Sequence, residues 1–251
     1  MSVETERRGH ILVITMARTA KRNAINAAMT AGIDAALNEL DDDGELRVGV
    51  LTGGDTVFCA GTDMAEGSGT PTARGGIYGI IGRRRRTPLI AAVEKMAFGG
   101  GFEIAMACDV IIAGRDARFG LPEVRRGLVP TSGGLYRAPR QLPLHVAKEA
   151  VLTGDDLHAD RLERLGVVNQ ITEPGGALAA AMAMAGRIAA NSPVAVSEAL
   201  MAMDTIVAGG GSDELGQQTT RAAGARILAS ADRTEGIAAF FERRAPEWPG
   251  H

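Results

Sequence analysis

The stretch Ala97-Phe-Gly-Gly-Gly-Phe-Glu-Ile-Ala-Met-Ala-Cys-Asp109 lies between two short apolar runs, Leu89–Val93 (LIAAV) and Val-Ile-Ile-Ala ending at Ala113. Runs of this length, aliphatic and bounded by turn signals, read as buried strands. The segment between them reads as a helix entered through glycines. Three glycines in a row suit a helix interior poorly, since each costs about 1 kcal/mol relative to alanine. At a strand-to-helix junction they have a use, because backbone without Cβ atoms can approach a ligand closely. The helix that follows aims its free N–H groups and its dipole at the same point. Such a place suits a phosphate or a developing oxyanion, and a tight turn with close helix–sheet packing would use the same residues.

Working outward, His10–Met16 and Leu46–Thr52 read as further strands. Between them, Met29, Ile33, Ala36, Leu37 and Leu40 fall at helical spacing from Asn26 onward, and the Asp41-Asp-Asp-Gly tetrad ends the helix. Gly53–Gly76 is a long loop rich in Gly, Thr and Asp, a length that compact domains reserve for function or mobility. Strands alternating with helices predict an α/β fold with largely parallel strands. From Leu144 the chain turns Ala-rich and helical. Ser192-Pro193 has the form of an N-cap followed by a first-turn proline, and Asp232 and Glu235 have capping-box spacing. The expected division is a catalytic core over 1–190 and a helical region over 191–251 for oligomerisation or as a lid.

Bulk properties narrow the function classes. The 251 residues are 45% hydrophobic and 23% charged with a net charge of −3, which gives no general attraction to nucleic acid or an anionic membrane. Cys59 and Cys108 have neither disulfide-framework nor zinc spacing, and read as reduced, half-buried thiols. The first residues carry charges of both signs and no apolar run, and no window reaches the roughly 18 apolar residues of a membrane span. The expectation is a soluble, cytoplasmic protein without a metal site.

Glu103 is the only charge between Phe98 and Cys108, and a carboxylate among apolar residues is expensive unless paired or protonated. It reads as functional, or as a residue on the exposed face of its helix. Phe119-Gly-Leu-Pro-Glu123 sets a second carboxylate after a turn proline, in a setting where a surface glutamate is equally at home. Pro130-Thr-Ser-Gly-Gly134 offers the free N–H groups of another helix start, and Val57-Phe-Cys-Ala-Gly-Thr-Asp-Met64 allows close backbone approach. Arg83-Arg-Arg-Arg86 reads as a solvated helix end; the other-class reading is a site for RNA. A serine hydrolase built on Ser132 and His145 lacks the G-x-S-x-G elbow and an acid.

Taken together, these motifs resemble the enoyl-CoA hydratase/isomerase, or crotonase, superfamily. The resemblance runs nearly end to end, from Arg18-Thr-Ala-Lys-Arg-Asn-Ala-Ile-Asn26 through Phe58–Asp63, Pro88–Val93, Gly99–Glu103, Phe119–Glu123 and Gly127–Gly134 to Leu152-Thr-Gly154, Gly166–Asn169 and Glu235–Arg244. It implies a spiral of ββα units with a C-terminal helical region. The implied activity is addition of water to a 2,3-enoyl-CoA, or its reverse. The backbone N–H groups of Thr62 and Gly100 would hold the thioester oxygen, with Glu103 and Glu123 as the acid/base pair. Arg22, Ala24, Ala60, Gly61, Asp63 and Met64 match the loops that line the CoA channel, and the N–H of Thr131 matches a position that helps hold the water.

No cofactor is implied beyond the CoA that the substrate carries. The implied partners are an acyl-CoA and further copies of the chain, as a trimer or a dimer of trimers. Phe241 and Arg243 in the tail would approach CoA from a neighbouring subunit. Relatives that keep only the second glutamate shift a 3-enoyl double bond, so two glutamates favour hydration. Phe102-Glu103, Leu121-Pro122 and the Arg-Ala-Pro-Glu-Trp ending are similar to the branch that acts on carnitinyl-CoA. None of His10, His145, His158 and His251 falls in the motif region, which argues against a catalytic histidine. Two departures stand out: Glu94-Lys95 replaces the usual Asn-Gly, and the stretch from Thr62 to Pro88 is short, which bears on chain length.

Overall fold

The computed structural model describes residues 2–251. The strand readings hold. β1 (Val3–Arg8) and β2 (Ile11–Met16) form a hairpin, followed by α1 (Ala27–Asp42), β3 (Val48–Thr52) and β4 (Leu89–Val93). β5 (Met96–Phe98), α2 (Gly100–Ala107), β6 (Val110–Gly114) and β7 (Arg118–Gly120) follow. Next come α3 (Gly134–Gln141), α4 (Leu144–Thr153), β8 (Asp156–His158), α5 (Ala159–Arg164), β9 (Gln170–Thr172) and α6 (Ala177–Ala189). The chain then continues through α7 (Pro193–Ala208), α8 (Asp213–Ala229) and α9 (Ala231–Glu242).

Six strands form one sheet in the order β1-β2-β3-β4-β6-β9, parallel except for the β1–β2 pair, and β5-β7-β8 form a second sheet. Consecutive strands therefore change sheet: β4 lies in the large sheet and β5 in the small one, then α2 returns the chain to β6, and β7 drops to the small sheet again. This is the expected spiral of strand–strand–helix units. β3 and β4 are buried along their whole length, which explains why they read as continuous apolar runs. One face of the large sheet is covered by α6, whose Ala177, Ala181, Ala185 and Ala189 pack against Val50, Ile90 and Ile112. The larger core lies on the other face, around Phe58, Phe102 and Phe119, with the last two rings edge-to-face at 5.2 Å.

The two sheets are joined at Glu94-Lys95, the pair that departs from the resemblance. Lys95 adopts φ 55, the left-handed conformation that glycine takes without penalty. Glu94 is 3% exposed, and its carboxylate accepts the Ala177 N–H at 2.9 Å, so it caps α6 from across the sequence.

Several readings are corrected. β1 escaped the sequence pattern because most of its side chains are exposed and charged, leaving no apolar alternation. The four arginines do not form a solvated helix end: they lie in irregular chain ahead of β4, with Arg84 and Arg86 exposed while Arg83 and Arg85 are buried. Arg83 donates to Asp34 (2.7 Å), Asp41 (2.8 Å) and Asn38 (2.7 Å) on α1. Arg85 pairs with Asp109 at 2.6 Å and donates to the Ala107 carbonyl at 2.9 Å, satisfying an orphan acceptor at the end of α2. Both cysteines are buried rather than half-buried, which pushes each thiol up to about 12. Ser192 caps α7 as expected, but the cap of α9 is Ser230. Asp232 is turned inward, where its carboxylate accepts the Ser192 hydroxyl and the Gly250 N–H.

Candidate active site

Every residue of α2 is buried, so the reading of Glu103 as an exposed helix residue is excluded. Its carboxyl is 1% exposed, and Oε1 accepts the N–H groups of Ser132 at 2.7 Å and Gly134 at 2.8 Å. The Pro130–Gly134 turn thus spends two free N–H groups on this carboxylate. Burial pushes the Glu103 carboxyl up to about 7; the Gly134 N–H opposes the rise, the charge of Glu123 adds to it, and the Ser132 N–H opposes it.

Glu123 sits in a single 3₁₀ turn, Pro122–Arg126, straight after β7. It lies so close to the glycine triplet that a Cβ on Gly99 would stand 3.0 Å from its Oε1. Its Oε2 is buried without a hydrogen-bond partner among the described residues. Burial raises its pKa too, opposed by its own backbone N–H and by Arg126. Burial thus raises both carboxyls, and they are close enough for the charge of Glu123 to act on Glu103, an arrangement suited to proton transfer.

The same space is bordered by backbone. Gly99 turns the chain at φ 52 into α2, leaving the Gly100 N–H at the first helical position with no carbonyl behind it to bond. Residues 59–62 run alongside β5, tied by Cys59 N–H to Met96 O (2.9 Å) and Phe98 N–H to Cys59 O (3.0 Å). Gly61, at φ 98, comes so near that a Cβ there would meet the Phe98 carbonyl at 2.8 Å and the Gly100 nitrogen at 3.3 Å. Thr62 bridges Ile25 through its neighbours' backbone groups: Ile25 N–H donates to Gly61 O and Asp63 N–H to Ile25 O. The N–H groups of Thr62 and Gly100 have no acceptor among the described residues. Two unpaired N–H donors beside two carboxyls can hold an oxyanion while protons move around it.

The other residues singled out from sequence fall in two groups. Ala60 donates its N–H to the Arg22 carbonyl at 3.0 Å, and Ala24, Ile25 and Gly61 are joined to the same strip of loop. Arg22 and Asn23 both take φ 52, and the buried Asn23 amide donates to Gly53 O and Val57 O, clamping the loops together. Asp63 is bound by Arg18 at 2.7 Å and by the N–H groups of Ala65 and Glu66, so its carboxylate shapes the turn. Met64 is 71% exposed, and Thr131 is exposed at the edge of the turn that grips Glu103. Phe241 is 77% exposed on α9 and Arg243 caps that helix at φ 55.

Sequence reasoning missed Tyr78, whose hydroxyl lies 2.7 Å from the Thr62 Oγ1. Its setting between glycines, Gly76-Ile-Tyr-Gly79, was the available signal. Among the described residues no group of three or more His, Cys, Asp or Glu side chains could hold a metal ion, and no helix is long and apolar enough to cross a membrane.

Comparison with known proteins bears on the family and the fold. The profile of the family described as Enoyl-CoA hydratase/isomerase matches residues 6–251. A carnitinyl-CoA dehydratase of Salmonella arizonae is 39% identical, over 100% of this chain and 99% of its own. An enoyl-CoA hydratase of Mycobacterium tuberculosis is 35% identical, over 97% of this chain and 94% of its own. A crystal structure of an enoyl-CoA hydratase from M. tuberculosis H37Rv superposes with TM-score 0.94 at 43% identity, covering 100% of this chain and 99% of that one.

Proposed function

The chain belongs to the enoyl-CoA hydratase/isomerase family, and from that premise we propose that it is an enoyl-CoA hydratase working through Glu103 and Glu123. The observation that carries this reading is the buried Glu103 carboxyl within reach of the charge of Glu123, whose own Oε2 is buried without a hydrogen-bond partner among the described residues. An oxygen so placed is costly unless it meets a water or a substrate atom.

In the forward direction the thioester oxygen lies between the N–H groups of Thr62 and Gly100. One carboxylate takes a proton from water as the hydroxide adds to the β-carbon. The electron pair of the double bond moves toward the carbonyl, and the enolate oxygen is held by the two N–H donors. The other glutamate, in its acid form, delivers a proton to the α-carbon, so H and OH are added overall. Burial raises both carboxyls, and Glu103, pushed up to about 7, has its acid and base forms both available near neutral pH. Retaining both glutamates supports hydration over double-bond migration.

The acyl-CoA arrives along the loop strip around Arg22, Ala24 and Ala60, with Asp63 and Met64 at its margin and Thr131 beside the water. No separate cofactor takes part. The carnitinyl-CoA dehydratase relative, alike over its full length, supports a second reading in which the same residues remove water from a 3-hydroxyacyl-CoA with a charged tail. Fatty-acyl turnover of the β-oxidation type in the cytoplasm is the setting that suits the first reading. We also propose assembly as a trimer or a dimer of trimers. α8 buries no residue in the single chain, and Leu228, Phe240 and Phe241 are 65%, 77% and 77% exposed, apolar area of the kind that subunit contacts cover.

The test follows loss of the conjugated thioester in crotonyl-CoA by ultraviolet absorbance. Wild type consumes it, while Glu103→Gln and Glu123→Gln each lose about 10²-fold or more in kcat/KM. A wild type that binds acyl-CoA yet leaves crotonyl-CoA untouched while dehydrating carnitinyl-CoA would move the assignment to the second reading.

A further inference from the structure

We propose that Tyr78 sets the acyl-chain preference of this site, its ring forming a wall beside Gly100 that admits short acyl groups and turns away longer ones. The inference rests on the hydratase reading for the position of the thioester, and on the geometry of the Gly75–Gly79 turn for the wall.

Tyr78 is 5% exposed and adopts φ 57, ψ 10, a conformation in which a bulky residue is an outlier. Strain of this kind persists only where the surroundings enforce it, and it gathers at functional positions. Here the enforcement is visible. Gly76 and Gly79 also take positive φ, and Gly75 lies so close to Gly79 that a Cβ would stand 1.9 Å from the Gly79 carbonyl oxygen. This turn thrusts the aromatic ring inward, toward the start of α2.

The outer end of the ring touches both residues whose N–H groups border the site. Its hydroxyl is 2.7 Å from Thr62 Oγ1. A Cβ on Gly100 would lie 2.7 Å from Oη, 2.8 Å from Cζ and 2.9 Å from Cε2, so the ring edge rests directly on that glycine. The Ser132 hydroxyl and the Glu103 carboxylate stand near the same phenol. A thioester oxygen held between Thr62 and Gly100 therefore brings the first acyl carbons past this edge. The Thr62 hydroxyl fixes the ring at its tip, the turn fixes it at its base, and a longer chain meets a wall held at both ends.

A ring that served only as core filling would, when shortened, lower activity on every substrate alike. The experiment is therefore a ratio: kcat/KM for octenoyl-CoA over crotonyl-CoA, in wild type, Tyr78→Phe, Tyr78→Ala and Tyr78→Gly. The glycine variant suits φ 57 and keeps the turn if the alanine variant folds poorly. Wild type favours crotonyl-CoA. Alanine and glycine raise the ratio about tenfold or more, the scale at which pockets discriminate added methylenes, while phenylalanine changes it less than about threefold. An unchanged ratio in both truncations, or an equal shift in the phenylalanine variant, overturns the proposal. Calorimetric binding of butyryl-CoA and octanoyl-CoA to the same proteins separates it from the hydratase reading, because binding needs no turnover. If wild type hydrates neither substrate yet the truncations still favour octanoyl-CoA, the wall stands and the hydratase reading falls; if the affinity ratio is also unmoved, the wall falls.

Discussion

Replacing Glu103 by glutamine should make the protein more stable at alkaline pH while nearly abolishing its chemistry. In the unfolded chain this carboxyl ionises near 4.5, and in the fold burial raises the value to about 7. The folded state therefore keeps its proton over a range where the unfolded state has released it. The stability from this group is full below pH 4.5 and is lost progressively as pH rises to about 7. At 1.36 kcal/mol per pH unit, ionising Glu103 in the folded protein removes about 3 kcal/mol. The side chain is 1% exposed, so solvent does little to soften that cost.

Glutamine keeps the shape and an acceptor for the Ser132 and Gly134 N–H groups, yet never ionises. Urea unfolding followed by the fluorescence of the single tryptophan, Trp248, at matched protein concentration reads the difference. Between about pH 5 and about pH 8 the stability of Glu103→Gln relative to wild type should rise by about 2 to 3 kcal/mol. Parallel pH dependences in the two proteins would refute the claim that a buried carboxylate is being forced to ionise.

Four further outcomes follow from the same structure. In Glu123→Gln the Glu103 midpoint should fall, because the charge of Glu123 contributes to its rise; carbon-13 NMR of labelled glutamate carboxyls reads this, and an unmoved midpoint denies that the two groups share one space. Gly101→Ala would place a Cβ 2.3 Å from the Cys59 carbonyl oxygen and 2.9 Å from the carbonyl carbon, so α2 or the 59–62 strip must shift. About 1 to 3 kcal/mol of stability and most of kcat should be lost, measured by denaturant unfolding and turnover, and a silent substitution would contradict the close approach. Arg85→Ala removes the buried guanidinium and leaves the Ala107 carbonyl without its donor, which should cost about 1 to 3 kcal/mol in urea titration, whereas Arg84→Ala and Arg86→Ala should be nearly neutral. With two of the four arginines turned inward, short RNA should show no salt-dependent binding.

How far the sequence could be read depended on whether the forces involved were local. β3 and β4 were legible because they are buried on both faces and their apolar runs are unbroken. α1 was legible because Met29, Ile33, Leu37 and Leu40 line one face. β1 was not, since its partner strand, rather than its own pattern, holds it in place. The arginine run misled because pairing with α1 and with Asp109 is decided by residues about 25 to 50 positions away, and a run of like charges carries no sign of them. The same holds for Asp232, which has capping-box spacing yet binds Ser192 and Gly250 instead. At the site, glycines and the lone charge of Glu103 marked the place. Tyr78 stayed hidden because only the folded turn shows which way its ring points.

The relation between the two carboxyls follows from the repeating unit of the fold. Glu103 follows β5 and Glu123 follows β7, each just beyond the end of its strand. β5 and β7 are parallel neighbours in the small sheet, with Phe98 opposite Gly120, and the Gly99 N–H bonds the Gly120 carbonyl at 2.8 Å. One strand–strand–helix repeat thus separates the two glutamates in sequence, and one strand spacing, about 4.8 Å, separates the backbones that carry them. The Thr62 donor joins through the Cys59–Ala97 bridge on the same strand, β5. Length changes in the turn between β6 and β7 leave this arrangement untouched as long as the register holds. A slip of one residue between β5 and β7 would carry Glu123 about 3.3 Å along the strand and turn its side chain to the other face. The buried pairing of Ala97 with Phe119, both 0% exposed, opposes that slip, so core packing in a three-residue strand fixes the geometry on which proton transfer between the glutamates and a substrate depends.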